Sequence, residues 1–220
     1  MIRSSITILK KEILQELRTK YAINTLLAFT GAALLLILFT LRAQQLDPTP
    51  KSGLVWIIIL FAAMTGMMRT FVHETEKKTW DLLQLNSTPT AVFVGKLFYN
   101  FLFLLVLHIF TFFFYMVMMN LPIISPTYLV ASILFGAAGL SSVTTLTSAM
   151  IAKADRKGAV FSVLCIPLLV PLLLILTRTT RIALVDGPDG AELNDLMALI
   201  GYCGTTITAG VLLFDYIWED

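Results

Sequence analysis

The stretch 97–119, LFYNFLFLLVLHIFTFFFYMVMM, contains no Asp, Glu, Lys or Arg and is long enough to cross a bilayer as one helix. In hydrocarbon every backbone amide must be paired within its own segment, so such a run is read as a spanning helix. Working outward, the windows 22–41, 54–72, 127–151, 159–177 and 195–217 meet the same test. Composition agrees: 57% of residues are apolar and 14% charged, with a mean hydropathy of +0.84, against about 45–50% and about 25% in soluble domains. We therefore expect an all-α integral membrane protein, one permease-like domain over 1–220 with six transmembrane helices. The first run follows a charged preface and has no small-residue cleavage site behind it, which favours a retained span over a signal peptide.

Lys and Arg distribution sets the expected orientation. Arg3, Lys10, Lys11, Arg18, Lys20, Arg69, Lys77, Lys78, Lys96, Lys153, Arg156 and Lys157 fall on one side, and Arg42, Lys51, Arg178 and Arg181 on the other. Twelve against four places both termini and the loop between spans two and three in the cytoplasm. No separate basic domain exists, so nucleic acid is not an expected partner. Thr88-Pro89 and Ser125-Pro126 each set a hydroxyl residue before a proline suited to the first helical position, and Asn194 or Asp195 can cap the last span. Gly187-Pro188-Asp189-Gly190 reads as a turn.

Two polar segments stand out. Over about 3–20, Ile6, Leu9, Ile13 and Leu17 recur at intervals of three and four among Lys10, Lys11, Glu12, Glu16 and Lys20. That pattern predicts an amphipathic helix lying on membrane lipid in the headgroup plane, with Glu16 and Lys20 as an i,i+4 pair. Between spans two and three, Glu74, Glu76, Lys77, Lys78 and Asp81 accompany Trp80, Leu82, Leu83 and Leu85 before Asn86-Ser87-Thr88-Pro89 breaks the pattern. The segment reads as a short surface helix, able to rest on lipid or to dock a cytoplasmic partner.

This charged element, the Leu-rich turn, Pro89 and Gly95-Lys96 resemble the first coupling region of ABC-2 type transporter permeases. Pro167-Leu168-Leu169-Val170-Pro171 and Leu212-Leu213-Phe214-Asp215-Tyr216, with the six-span layout, narrow the resemblance to the CcmB family of cytochrome c maturation permeases, the haem exporter membrane subunits. Many relatives carry a Gly and then a Glu ahead of the Leu pair, where this chain has Lys77 and Trp80. The resemblance implies a subunit of the bacterial cytoplasmic (inner) membrane that forms a homodimer and binds an ATP-binding ABC subunit. It also implies a complex with a haem-handling membrane subunit and a haem chaperone, with haem as the substrate of the complex. The expected contact with the ATPase is Glu74, Glu76, Lys77, Trp80, Leu82 and Leu83. Alternatives are a permease for a lipid, polysaccharide or drug, and a non-transporting scaffold.

Chemistry within the chain is sparse. No GxxxxGK[ST] phosphate loop is present, so ATP hydrolysis is expected in a partner. Neither a nucleophile–base pair nor metal-ligand spacing suggests an enzyme. His108, near the middle of span three, is a possible polar intramembrane or haem contact, with a hydrogen bond to a neighbouring helix as the plainer reading. Cys165 and Cys203 read as apolar filler. In span four, Gly136, Gly139 and the run of Ser and Thr over 141–148 suggest close helix packing, with a dimer face or translocation path as the alternatives. Pro167 and Pro171 predict a kink or local unwinding in span five.

Overall fold

A computed structural model describes residues 2–40, 48–152, 157–188 and 193–219. Arg42, Lys153 and Arg156, which contributed to the expected orientation, lie outside the described residues, as do Asp189 and Gly190 of the expected turn. Among the described residues all regular structure is helical: α1 Ile2–Thr19, α2 Tyr21–Thr40, α3 Pro48–Met67, α4 Arg69–Glu76, α5 Trp80–Asn86, α6 Pro89–Met119, α7 Pro126–Met150, α8 Lys157–Arg181 and α9 Leu193–Glu219, with a π-helical turn at Ile182–Asp186. Six segments are long and apolar enough to span a membrane, built from α2, α3 with α4, α6, α7, α8 with its π turn, and α9.

α7 is the hub. It packs against α9, α6 and α8, and also touches α3 and α4. Its small residues permit this: a Cβ on Gly136 would fall 2.5 Å from the Trp56 ring, and one on Gly139 2.5 Å from Leu172. Ser141, Ser142, Thr144, Thr145, Thr147 and Ser148 are all buried, and most donate to carbonyls three or four residues back in their own helix. Back-bonding lets a hydroxyl enter an apolar interface without an unpaired donor, so this run serves helix packing.

The two ends of the bundle differ. At one end Trp56 Nε1 donates to Thr180 Oγ1 at 2.8 Å, Tyr115 Oη donates to the Lys51 carbonyl at 2.7 Å, and the Ile124 and Ser125 amides converge on the Ala183 carbonyl at 3.0 Å. The opposite end gathers α1, α4, α5, Ala152 and the last turns of α9; Thr75 Oγ1 donates to the Ala152 carbonyl at 2.9 Å and Gln84 Nε2 to the Trp218 carbonyl at 2.5 Å.

Helix boundaries depart from expectation in instructive places. α6 begins at Pro89 and runs 31 residues, about 46 Å at 1.5 Å per residue, so it overshoots a ~30 Å hydrocarbon core and carries Gly95 and Lys96 inside the helix. Thr88 and Ser125 are extended but make no side-chain cap; the prolines alone mark these starts. α9 begins at Leu193, placing Asn194 and Asp195 in its first turn. Neither Pro167 nor Pro171 unwinds α8, which continues to Arg181. The wider hydrogen bonding falls directly after α8, where the Gly187 amide reaches the Ile182 carbonyl at 3.1 Å with Gly187 at φ 74°.

Candidate functional site

Span two does not end where the charges begin. α3 stops at Met67 and α4 starts at Arg69, and the join is held by a residue from another helix. Ser148 Oγ donates to the Met68 carbonyl at 2.8 Å and accepts from the Phe71 amide at 3.0 Å. Thr70 Oγ1 donates to the Met67 carbonyl at 2.8 Å. A hydroxyl inserted into the i→i−4 ladder is a recognised cause of a helix break. Here it pairs the freed Phe71 amide, while Thr70 pairs the freed Met67 carbonyl.

α4 closes in a Schellman turn: the Lys78 amide reaches the Thr75 carbonyl at 3.2 Å and the Thr79 amide the Glu74 carbonyl at 2.9 Å, with Lys78 at φ 57°. That position usually carries Gly. A lysine there hid the turn in the sequence, where 74–85 reads as one helix. The chain then enters α5, and α4, the turn and α5 form a hairpin between spans two and three.

Behind the hairpin lies a set of four charges, with Lys96 and Glu74 buried, Glu12 nearly so and Lys11 reaching solvent. Lys96 is 1% exposed; its Nζ meets Glu12 Oε1 at 2.8 Å, Glu74 Oε1 at 3.1 Å and the Thr70 carbonyl at 2.8 Å. Lys11 Nζ also meets Glu74 Oε1, at 2.6 Å, and the Thr79 hydroxyl donates to Glu74 Oε2. Two lysines against two glutamates leave no net charge, which is what permits ionised groups at this depth. The Lys96 ammonium also stands 5.1 Å from the Phe71 ring centroid. One helical turn further into span three, Asn100 Nδ2 donates to Thr145 Oγ1 at 2.7 Å and Thr70 Oγ1 at 3.1 Å.

These contacts orient α1 differently from the simple amphipathic reading. Ile8 and Glu12 face the bundle, while Ile6, Leu14 and Leu17 are exposed. A Cβ on Gly95 would fall 2.9 Å from the Ser5 carbonyl and 2.9 Å from Ile8 Cβ, so Gly95 lets α1 lie directly on α6. Gly95-Lys96 thus has a physical meaning: one residue admits the crossing helix and the next neutralises its acid.

The expected contact residues divide into two sets. Glu74, 3% exposed, and Trp80, 6% exposed, lie inside the fold. Trp80 stacks near Trp218 at 5.4 Å and Phe71 at 6.1 Å between centroids, in a cluster with Phe93 and Phe214, and Leu83 packs against its edge. Glu76 and Lys77 are exposed, with Lys78 and Asp81 beside them. Leu82 is 58% exposed and Leu85 82%. Leu85 lies outside the expected contact set, yet its position three residues after Leu82 puts both on one outward face.

His108 is fully buried in α6. Its Nδ1 donates to the Leu104 carbonyl at 2.6 Å, a bond within its own helix, and its ring meets the edge of Trp56 at 5.5 Å. A Cβ on Gly136 would stand 3.2 Å from His108 Nε2, so this side of the imidazole is closed to a porphyrin in the arrangement described. Among the described residues no group of three His, Cys, Asp or Glu side chains could hold a metal ion. Cys165 and Cys203 are buried free thiols.

A family model described as "CcmB protein" matches residues 3–203. The chain belongs to the CcmB family. Its members are membrane permease components of a haem-exporting ABC transporter for cytochrome c maturation, and this chain is a multi-pass membrane protein of that kind. No curated protein matches the chain significantly. The CcmB match takes in α1, the whole hairpin and the four-charge set; Phe214 and Trp218, the wall behind Trp80, lie beyond it.

Proposed function

We propose that the α4–α5 hairpin is the element through which an ATP-binding partner drives this subunit, with ATP hydrolysis coupled to haem export or to release of a haem-loaded chaperone. One observation carries the reading: the hairpin is fastened from behind by ionic and aromatic contacts while its front face is polar and apolar in the mixture a docking surface needs. Leu82 and Leu85 are the apolar anchors, and Glu76, Lys77, Lys78 and Asp81 form a charged rim that sets register. Glu74, Trp80 and Leu83 make the hairpin stiff, so that displacement of its face is passed to spans three, four and six. A floppy loop would absorb the same displacement.

In this reading the hairpin faces the cytoplasm together with both termini, in the inner membrane, as the distribution of Lys and Arg favours. The complex contains two copies of this chain and works beside a haem-handling membrane subunit. Haem is handled as cargo. His108, packed on Trp56 and Gly136, serves helix packing.

Replacing both Leu82 and Leu85 by Glu is expected to abolish co-purification of the ATP-binding subunit in mild detergent, with membrane insertion and yield unchanged. Anchors of this type cost at least about 2 kcal/mol each when lost. Retention of the ATPase by the doubly substituted chain would overturn the proposal.

A further inference from the structure

A cavity of about 500 Å³ lies between α1, the start of α2, the end of α3, α4 and α6. Its charged walls are of opposite sign. Glu12 and Glu16 stand four residues apart on α1, hence on one face of that helix; on α4 Arg69 carries the opposite charge, with the neutral imidazole of His73 four residues on. Gln15, Thr19, Thr70 and Tyr99 complete the polar lining. Lys96 already neutralises Glu12 at 2.8 Å, so the acid whose charge remains toward the cavity is Glu16, whose Oε1 accepts from the Ile23 amide at 2.9 Å. On the facing wall Arg69 pairs with Glu76 at 3.4 Å, with both side chains 45% exposed, an arrangement worth little and readily exchanged. His73 Nε2 is buried with no partner.

The depth of the cavity is set by α1. Lys10, Lys11 and Arg18 reach solvent from that helix while Leu14 and Leu17 are exposed on it, the habit of a helix at the headgroup boundary. A site at that level with an acidic wall and a basic wall fits a zwitterion that carries its own ammonium and phosphate. A net anionic headgroup would meet Glu16, and a quaternary ammonium has no N–H to give it. We propose that this cavity binds the phosphoethanolamine headgroup of a membrane phospholipid, phosphate toward Arg69 and His73 and ammonium toward Glu16, with the acyl chains leaving past Ala22 and Gly66. The bound lipid then fills the gap between α1 and α4 and holds these two helices at a fixed spacing.

The test uses the purified full chain in mild detergent with defined lipids, read by native mass spectrometry and by thermal unfolding. Phosphatidylethanolamine is expected to be retained roughly tenfold over phosphatidylglycerol and phosphatidylcholine, and to raise the unfolding temperature. Glu16→Gln, which keeps an acceptor for the Ile23 amide, and Arg69→Gln are each expected to unfold like the parent without lipid, yet to lose both the preference and the lipid-dependent rise. Soluble glycerophosphoethanolamine at the same concentration is expected not to bind, because the acyl chains supply most of the affinity. Equal retention of the three lipids, an unchanged preference in both variants, or binding of the soluble headgroup as tight as that of the lipid would overturn the proposal.

Discussion

Lys96→Met tests whether the four-charge set holds α1 and the hairpin to the bundle. Methionine keeps the length and apolar stem of lysine but removes the ammonium that meets Glu12 at 2.8 Å, Glu74 at 3.1 Å and the Thr70 carbonyl at 2.8 Å. Breaking a buried ion pair by removing one partner costs about 3–5 kcal/mol, because a charge stays behind uncompensated. Here the lower end applies. Lys11 remains 2.6 Å from Glu74, is 42% exposed, and lies 3.8 Å from Glu12, so Glu12 is the group left short. A loss of about 3 kcal/mol corresponds to a fall of about 6–12 °C in unfolding temperature for a chain of this size. The sign of the second substitution is the sharper readout. Adding Glu12→Gln to Lys96→Met removes the stranded carboxylate and leaves the Lys11–Glu74 pair balanced. The double variant is therefore expected to be more stable than Lys96→Met alone, with a coupling energy of about 1–3 kcal/mol. Tryptophan fluorescence during heating in mild detergent reports it, since Trp80 sits against Phe71 beside the cluster. A Lys96→Met chain within about 0.5 kcal/mol of the parent, or strictly additive single changes, would refute the reasoning.

Gly95→Ala is expected to destabilise by about 1–3 kcal/mol, since its Cβ meets the Ser5 backbone, which has no rotamer to change; limited proteolysis within α1 should accelerate in parallel. Ser148→Ala strips the Phe71 amide of its partner, for about 1–3 kcal/mol, measured by thermal unfolding against Ser148→Thr, which keeps the hydroxyl. Trp80→Ala should cost about 3–5 kcal/mol through the cavity left against Trp218 and Phe71, whereas the exposed Leu82 and Leu85 should tolerate Ala with little loss.

The spans were legible because six apolar runs of sufficient length admit few other structures. Their ends at the charged side were not. Ending span two at position 72 and starting span three at position 97 treats Glu74 and Lys96 as solvated. Hydropathy scores each charge singly and cannot register that these two neutralise one another across 22 residues, or that Glu12 joins them from 84 residues away. An ionisable residue within a long apolar helix is itself a signal that a partner exists, and Gly95-Lys96 together with the Glu12, Glu16 spacing would have suggested one. Trp80 misleads for a related reason. An aromatic residue in a charged loop resembles an interface anchor, and only Phe71, Phe214 and Trp218, brought together by the fold, reveal that its surface is already covered.

The Ser148 hydroxyl at the foot of span two has a mechanical consequence. Where one helix runs unbroken, a push at its tip travels along its own axis. Here the Phe71 rung that would join α4 to α3 is replaced by one to α7, and Thr75 adds another to Ala152 just beyond α7. The stiffest route from the hairpin therefore runs sideways into the hub helix and, through Lys96, into α6. Span two is thereby weakened at Met68 while its tip is carried by its neighbours.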